Sequence, residues 1–348
     1  MREALQDLLV DPVSGLSLRL RDGRRVGDEV VDGRLEGSNG RSFPIKNGIP
    51  RFVLTEDEDQ RQTERSFGFK WRQRETYGSP GMVETSRLWL VERYGFADAE
   101  TMRAFMAGKA RILDAGCGSG FSASLWLSPD WGGGCWVGAD ISEAIDVACD
   151  RLAGIPNTHF VQADLLQLPF APATFDVVFS EGVLHHTPST ERAFKALVPL
   201  VAPGGELMAY VYRRKAPLRE FADDEIRRTI SSLSPEDAWA ALRPLTALAR
   251  SLAALKAEVE IAEDIPYLGI KAGPYDVQRL IYWHFLKLFW NDAYSFEENN
   301  HINFDWYHPR YSHRQTEDDV RRWCEESGLT VTALNVQESG LTVRAIRN

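Results

Sequence analysis

The stretch Asp114-Ala-Gly116-Cys-Gly118-Ser-Gly120 decides the reading of this 348-residue chain. It follows a short apolar run, Arg111-Ile-Leu-Asp114, in the place where a parallel sheet would present a ligand loop. Glycines at 116, 118 and 120 let backbone amides approach a ligand with no Cβ in the way. The N-terminus of a following helix adds partial positive charge. A dinucleotide fingerprint would place its third glycine at 121, and this chain has Phe121. The spacing therefore suits a cofactor carrying an amino-acid carboxylate better than a pyrophosphate, and an NAD-linked oxidoreductase is the disfavoured alternative.

Outward from the loop, strand and helix alternate. Strand candidates are Arg111–Asp114, Cys135–Asp140, Thr158–Gln162, Phe175–Ser180 and Gly205–Tyr212. Short apolar runs separated by helical stretches predict a parallel sheet covered on both faces. The fold class is α/β, a doubly wound, mostly parallel seven-stranded sheet. Residues 1–54 read as a small β-rich module with tight turns. Residues 55–109, opening on the acidic run Glu56-Asp-Glu-Asp59, read as a linker and helices. Residues 110–212 form the core and 213–312 a mostly helical cap. Residues 313–348 supply a helix, capped by Thr316 and stopped at Gly328, and two strands that complete the sheet.

Composition bounds the function. The chain is 44% hydrophobic and 26% charged, with a formal net charge of −10. A polyanion is repelled by that average field, and no Lys/Arg stripe offsets it, so no nucleic-acid partner is expected. The four cysteines form no Cys-x-x-Cys pair, which argues against a zinc ribbon or a disulfide framework. No apolar run has the length of a membrane span, and the start lacks a signal-peptide core. A soluble cytoplasmic protein of unassigned oligomeric state is the plain expectation.

Two acids extend the loop into a constellation. Asp140 ends the second strand, where a carboxylate can accept ribose hydroxyls. Asp164 follows the third strand, where it can accept an adenine amino group while Leu165 fixes the ring edge. Together with the loop, these positions resemble class I S-adenosylmethionine-dependent methyltransferases of the small-molecule, type 11-like branch. The resemblance covers 110–212 and, as the last helix and strands, 316–348. It implies S-adenosyl-L-methionine as cofactor, held by Asp114, Gly116, Gly118, Gly120, Asp140, Ile141, Asp164, Leu165 and Glu181. The segment Phe175–His186 resembles the part of that branch bordering both cofactor and acceptor.

His185 and His186 are the catalytic candidates, since an imidazole takes a proton near neutral pH; each reads equally well as a packed residue. Phe67-Gly-Phe-Lys-Trp71 resembles a segment lying over the cofactor in related bacterial enzymes. Aromatic faces attract a sulfonium, which makes Phe67, Phe69 and Trp71 candidates to close the pocket. The block 301–313 resembles another segment of the same branch. With Tyr212, it offers Asp305, Tyr307, His308, Arg310 and His313 as acceptor-side candidates. His284, His301, His308 and His313 match no metal-ligand spacing, and no metal is expected. The N-terminal module resembles a small zinc-ribbon-like domain, with Asp11 and Ser14 where that pattern has cysteines; it reads as a packing or docking domain. The expected reaction is methyl transfer to an O or N atom of a small metabolite or sugar derivative. A cofactor-binding partner or regulatory protein without activity is the alternative.

Overall fold

The structure, a computed structural model, describes residues 1–54 and 57–348; Thr55 and Glu56, at the start of the acidic linker, lie outside the described residues. The chain opens with α1 (Glu3–Gln6) and four strands, β1 (Leu18–Val26), β2 (Glu29–Gly37), β3 (Ser42–Lys46) and β4 (Ile49–Pro50). They pair antiparallel in chain order. Asn47 and Gly48, both at positive φ, close the β3–β4 hairpin in the way an Asn-Gly pair favours. Asp11 is fully buried. Its carboxylate accepts hydrogen bonds from the amides of Val13 and Ser14 and from Asn39 Nδ2 at 2.7 Å. Hydrogen bonds around one carboxylate thus tie together the two turns of the module.

The module has no separate core. Leu35, Phe43 and Ile45 belong to one apolar cluster with Val137 and Val161 of the central sheet. Phe52 N donates to Gln162 O at 2.7 Å, and the Arg51 guanidinium grips Asp146 at 2.6 Å.

Three helices follow: α2 (Glu58–Arg72), α3 (Pro80–Arg93) and α4 (Ala99–Ala107). Asp57 caps α2 by accepting from Gln60 N at 2.9 Å. The alternating core then runs β5 (Arg111–Ala115), α5 (Phe121–Ser124), β6 (Cys135–Asp140), α6 (Ala144–Arg151), β7 (Thr158–Gln162), β8 (Phe175–Glu181), α7 (Thr190–Leu197) and β9 (Val201–Tyr212). The cap comprises α8 (Pro217–Ile230), α9 (Pro235–Ala254), the hairpin β10 (Glu258–Ile261) and β11 (Gly273–Asp276), α10 (Val277–His284) and α11 (Phe296–Tyr307). The hairpin departs from the mostly helical expectation for this stretch. Glu258-Val-Glu-Ile261 alternates with the period of a strand, and Pro266, Gly269, Gly273 and Pro274 prevent a helix across the turn. The chain returns through α12 (Glu317–Glu326), β12 (Leu329–Val336) and β13 (Gly340–Arg347).

The central sheet has seven strands in the order β12-β13-β9-β8-β5-β6-β7. Strands β5 to β9 pair parallel and β13 runs antiparallel to β9. Successive residues of a strand face opposite sides. Leu113, Val137 and Val178 therefore fill one apolar layer, and Ile112, Trp136 and Val177 the other. This is the doubly wound α/β sheet that the alternating pattern predicts. From β5 the chain passes to β6 and β7, then returns to β8 on the other side of β5. The crevice beyond the carboxyl ends of β5 and β8 is the place where open α/β sheets bind ligands. Among the described residues no helix is long and apolar enough to cross a membrane.

Candidate active site

A cavity of about 580 Å³ opens at that crevice, roofed by α2 and by the cap. Its floor is the glycine loop. Gly116 and Gly118 have φ of 88° and 54°, values that L-residues with a Cβ rarely adopt. A Cβ on Gly116 would stand 2.3 Å from Val183, and one on Gly118 2.8 Å from the Trp71 indole nitrogen. Gly120, at φ 69°, starts α5 and packs against α6 away from the opening.

The two acids flank the loop. Asp140 Oδ2 accepts from Gly118 N at 2.8 Å, and Oδ1 accepts from Ser142 N and Oγ. Ile141, Asp164 and Leu165 line the same end of the cavity, and Asp164 accepts from Leu166 N. Burial raises the carboxyl pKa of both acids. Glu181, at the end of β8, is held by Arg93 and by Tyr94 Oη from α3. Asp114 lies below the loop, fully buried, and its Oδ2 has no partner among the described residues. Burial, and then the charges of Asp140 and Glu181, push its pKa well up.

α2 runs over the loop with a stripe facing the cavity: Gln60, Thr63, Glu64, Phe67, Lys70 and Trp71. These positions repeat at the i, i+3, i+4, i+7 spacing of one helix face. Glu64 is pushed up to about 7, first by burial and then by Asp140 and Glu143. Phe67 and Trp71, four apart, share the face, whereas Phe69 points the other way and packs on Phe304 and Trp239. Phe69 therefore does not close the pocket; the segment is helical, and residues two apart diverge by about 200°.

His186 lines the cavity. Its Nδ1 faces the Tyr311 carbonyl at 2.7 Å, which makes it the protonated nitrogen, and Nε2 has no partner among the described residues. Burial is the main reason its pKa falls to about 4, so the ring is neutral at pH 7. His185 is fully buried and stacks on Tyr212 with centroids 3.6 Å apart. Its Nδ1 accepts from Tyr212 N. It does not line the cavity, so its place is structural.

The acceptor-side candidates divide. Asp305 and Tyr212 line the cavity. Asp305 accepts from Lys70 Nζ at 2.6 Å and from Tyr212 Oη at 3.1 Å. Burial opposes its charge, but Lys70, His186 and Lys287 hold its carboxyl well below the usual range. Tyr307 turns about 200° from Asp305 along α11, and its Oη sits 2.8 Å from both Asp223 and the Lys287 carbonyl. His308 is buried against Ser66 Oγ at 2.8 Å. Arg310 is solvent-exposed near Asp59. His313 donates its amide to the His185 carbonyl and lies behind the wall. These four are corrected from acceptor contacts to framework or surface residues.

Sequence reasoning missed Glu64 and Lys70, which the helical spacing of α2 could have revealed, and Gly182 and Val183 after β8. The basic spot Arg213-Arg214-Lys215 reads in the sequence as a solvated face or small-anion contact, and Lys215 lines the cap side of the cavity; Arg219, Arg279 and Lys287 beside it were missed. They carry no local motif.

Residues 113–209 match the protein family described as Methyltransferase domain. The chain carries a methyltransferase domain. It occupies β5 through β9, the part of the sheet that holds the glycine loop and both acids. A malonyl-[acyl-carrier protein] O-methyltransferase of Enterobacter lignolyticus is 35% identical over 115 residues, covering 32% of this chain and 42% of that protein. A probable tRNA methyltransferase 9B of Mus musculus is 30% identical over 118 residues, covering 33% and 24% respectively. Among solved structures, magnesium protoporphyrin IX methyltransferase from Synechocystis PCC 6803 aligns at a TM-score of 0.42 and 15% identity. That alignment covers 85% of this chain and 100% of that one. The chain spans less than half the length of the curated relatives it matches.

Proposed function

We propose that the protein is an S-adenosylmethionine-dependent methyltransferase acting on an O or N atom of a small metabolite or sugar derivative. The observation that carries this reading is the union, in one cavity, of the glycine cradle, Asp140 and Asp164 with a cap that closes the opposite end. The residues fit the cofactor. Gly116 and Gly118 leave a cradle that a Cβ would obstruct, and Asp140 and Asp164 offer carboxylates at the nucleoside end. Bound, the cofactor supplies an electrophilic methyl group on a sulfonium.

The chain's own residues position, exclude water and manage a proton. Phe67 and Trp71 place aromatic faces over the loop, a surface that attracts a sulfonium. The roof of α2 and the cap shields the reaction from solvent, and alignment of acceptor with donor supplies much of the acceleration. His186 presents a lone pair at Nε2, because Nδ1 is committed to the Tyr311 carbonyl. It accepts the proton that an acceptor hydroxyl sheds as its oxygen gains the methyl group. The Lys70–Asp305–Tyr212 chain fixes the wall beside it.

Isothermal titration with S-adenosylmethionine tests the reading; no heat from an intact fold would overturn it. Substitution His186→Ala should preserve that affinity and lower turnover of a hydroxyl acceptor by about 100-fold or more. Unchanged turnover removes His186 from the chemistry. Formation of S-adenosylhomocysteine in a metabolite extract separates an enzyme from a binding partner. The same assay with bulk tRNA in place of metabolites covers the acceptor named for one relative.

A further inference from the structure

Charge in the cavity is unevenly distributed. Glu64, Asp140, Asp164 and Glu181 line the loop end, the last paired with Arg93; Lys215, Arg219, Arg279 and Lys287 line the cap end, where Glu338 and Asp305, the latter paired with Lys70, also stand. In a chain of net charge −10, four cations lining one wall need an account. We infer that the cap end is an anion site that receives a carboxylate or phosphate group of the methyl acceptor. This inference rests on the methyl-transfer reading and narrows its substrate class.

The first support is what holds these cations. Lys287 Nζ sits 4.3 Å from the Trp306 ring centroid and Lys215 Nζ 5.1 Å from that of Trp283. Arg219 and Arg279 lie over Tyr282. Ring faces attract a cation without accepting its N–H bonds as a carboxylate would, so the two ammonium groups keep donors for a ligand, whereas Arg219 already bonds Asp223 and the Tyr282 carbonyl. Lys215 Nζ is buried with no hydrogen-bond partner among the described residues, and Lys287 is 7% exposed.

The second support is that the nearby carboxylates are committed to groups other than the Lys215 and Lys287 ammoniums. Asp305 accepts from Lys70 and Tyr212. Asp223 accepts from Arg219 Nε, Trp306 Nε1 and the Lys287 amide. Glu220 takes the Lys215 amide and Arg314, and Glu338 lies 4.0 Å from Arg213. A buried ammonium without a partner is costly. Burial first, and then neighbouring cations including Arg219, depress both lysines to about 7. An anion between them would relieve that repulsion and supply the missing acceptor, and charge-assisted bonds of this kind are the strong ones. A compact anion bound here also orients the acceptor, because the cofactor cradle lies at the opposite end of the cavity.

The test uses the full chain and three separate titrations, with inorganic phosphate, with acetate and with S-adenosylhomocysteine. The wild type should bind one equivalent of phosphate or acetate, and the tighter of the two identifies the acceptor's group. Lys215→Met/Lys287→Met should weaken that binding by about tenfold to a hundredfold and leave S-adenosylhomocysteine affinity unchanged. Lys215→Arg/Lys287→Arg should retain the anion. If the methionine double variant does not fold, each single variant carries the same comparison. Failure of both probes to bind the wild type, or equal binding by the methionine variant, would overturn the inference. So would a parallel loss of S-adenosylhomocysteine, which assigns the cations to the cofactor's carboxylate. If phosphate or acetate binds as expected while S-adenosylhomocysteine does not, the anion site stands and the methyl-transfer reading fails.

Discussion

Gly116, Gly118 and Asp223 show how much single positions carry. At Gly118 an added methyl group meets both a left-handed backbone and the Trp71 indole. Gly118→Ala should therefore cost about 1–3 kcal/mol and weaken S-adenosylmethionine binding. A variant with native melting and native affinity would remove the cradle argument. Asp223 is 1% exposed and satisfies an arginine, an indole, an amide and a phenol at once. Removing it by Asp223→Ala strands Arg219 and should cost about 3–5 kcal/mol in urea unfolding. A change below about 1 kcal/mol would contradict that role. The histidine pair separates for a related reason. His185 is locked between Tyr212 and the backbone, while His186 keeps one nitrogen free toward the cavity.

At the scale of elements, α11 organises the cap. Ser295 and Glu298 form a capping box at its start, and its asparagines reach out to peptide groups of the preceding loop. Asn303 Oδ1 accepts from Phe289 N at 2.8 Å, and its Nδ2 donates to Phe289 O. Asn299 does the same for Asn291. Buried amides paired this way specify one loop conformation, and losing the partner leaves peptide groups unsatisfied. Asn303→Ala should cost about 1–3 kcal/mol and raise hydrogen exchange at Phe289 while leaving cofactor affinity intact. Unchanged exchange there would mean the loop is held by other contacts. α2 plays the complementary part, with one face against the loop and the other, through Phe69, against the cap.

For the whole molecule, burial of neutral bases sets the response to pH. His159, His186 and His308 are depressed to about 4, and His185 and His301 fall well below the ordinary histidine value of 6.5, burial being the first cause in each case. Between pH 4 and 6.5 the unfolded chain binds protons that the folded chain refuses, so stability rises with pH across that window. Glu64 works in the opposite sense between 4.5 and about 7, since its folded form holds a proton longer. Buried Asp114, Asp140 and Asp164 act in the same sense as Glu64, and His284 and His313 join the lowered histidines; seven histidines against four carboxyls give a net loss of stability on acidification. Melting temperature should fall from pH 6.5 to pH 4, before the depressed carboxyl of Asp305 titrates. A flat profile over that interval would mean the histidines are not buried in neutral form. The N-terminal module shares its apolar cluster with the sheet, so it should melt in the same transition as the methyltransferase domain.

The glycine loop, Asp140, Asp164 and the alternation from β5 to β9 were legible in the chain because each is local. A loop conformation, a strand end and a two-residue period are written within a few neighbouring residues. The block 301–313 was legible only as a segment. Helical rotation sent Asp305 into the cavity and Tyr307 into the cap's interior, while His308, just past the end of α11, packs on Ser66 of α2; that division depends on which face of α11 the other elements cover. The hairpin β10–β11 was written in its alternation and its prolines, but was outweighed by the helical pattern around it. Of the cations of the cap end, only Lys215 stood in a local basic run, Arg213-Arg214-Lys215. Lys215 follows β9, Arg219 is on α8, Arg279 on α10 and Lys287 in the loop beyond it. No short-range rule relates the pair Lys215 and Arg219 to Arg279 and Lys287. Local chemistry wrote the nucleotide cradle into the sequence; long-range packing alone gathered the opposite wall, since only folding brings those side chains within reach of one ligand.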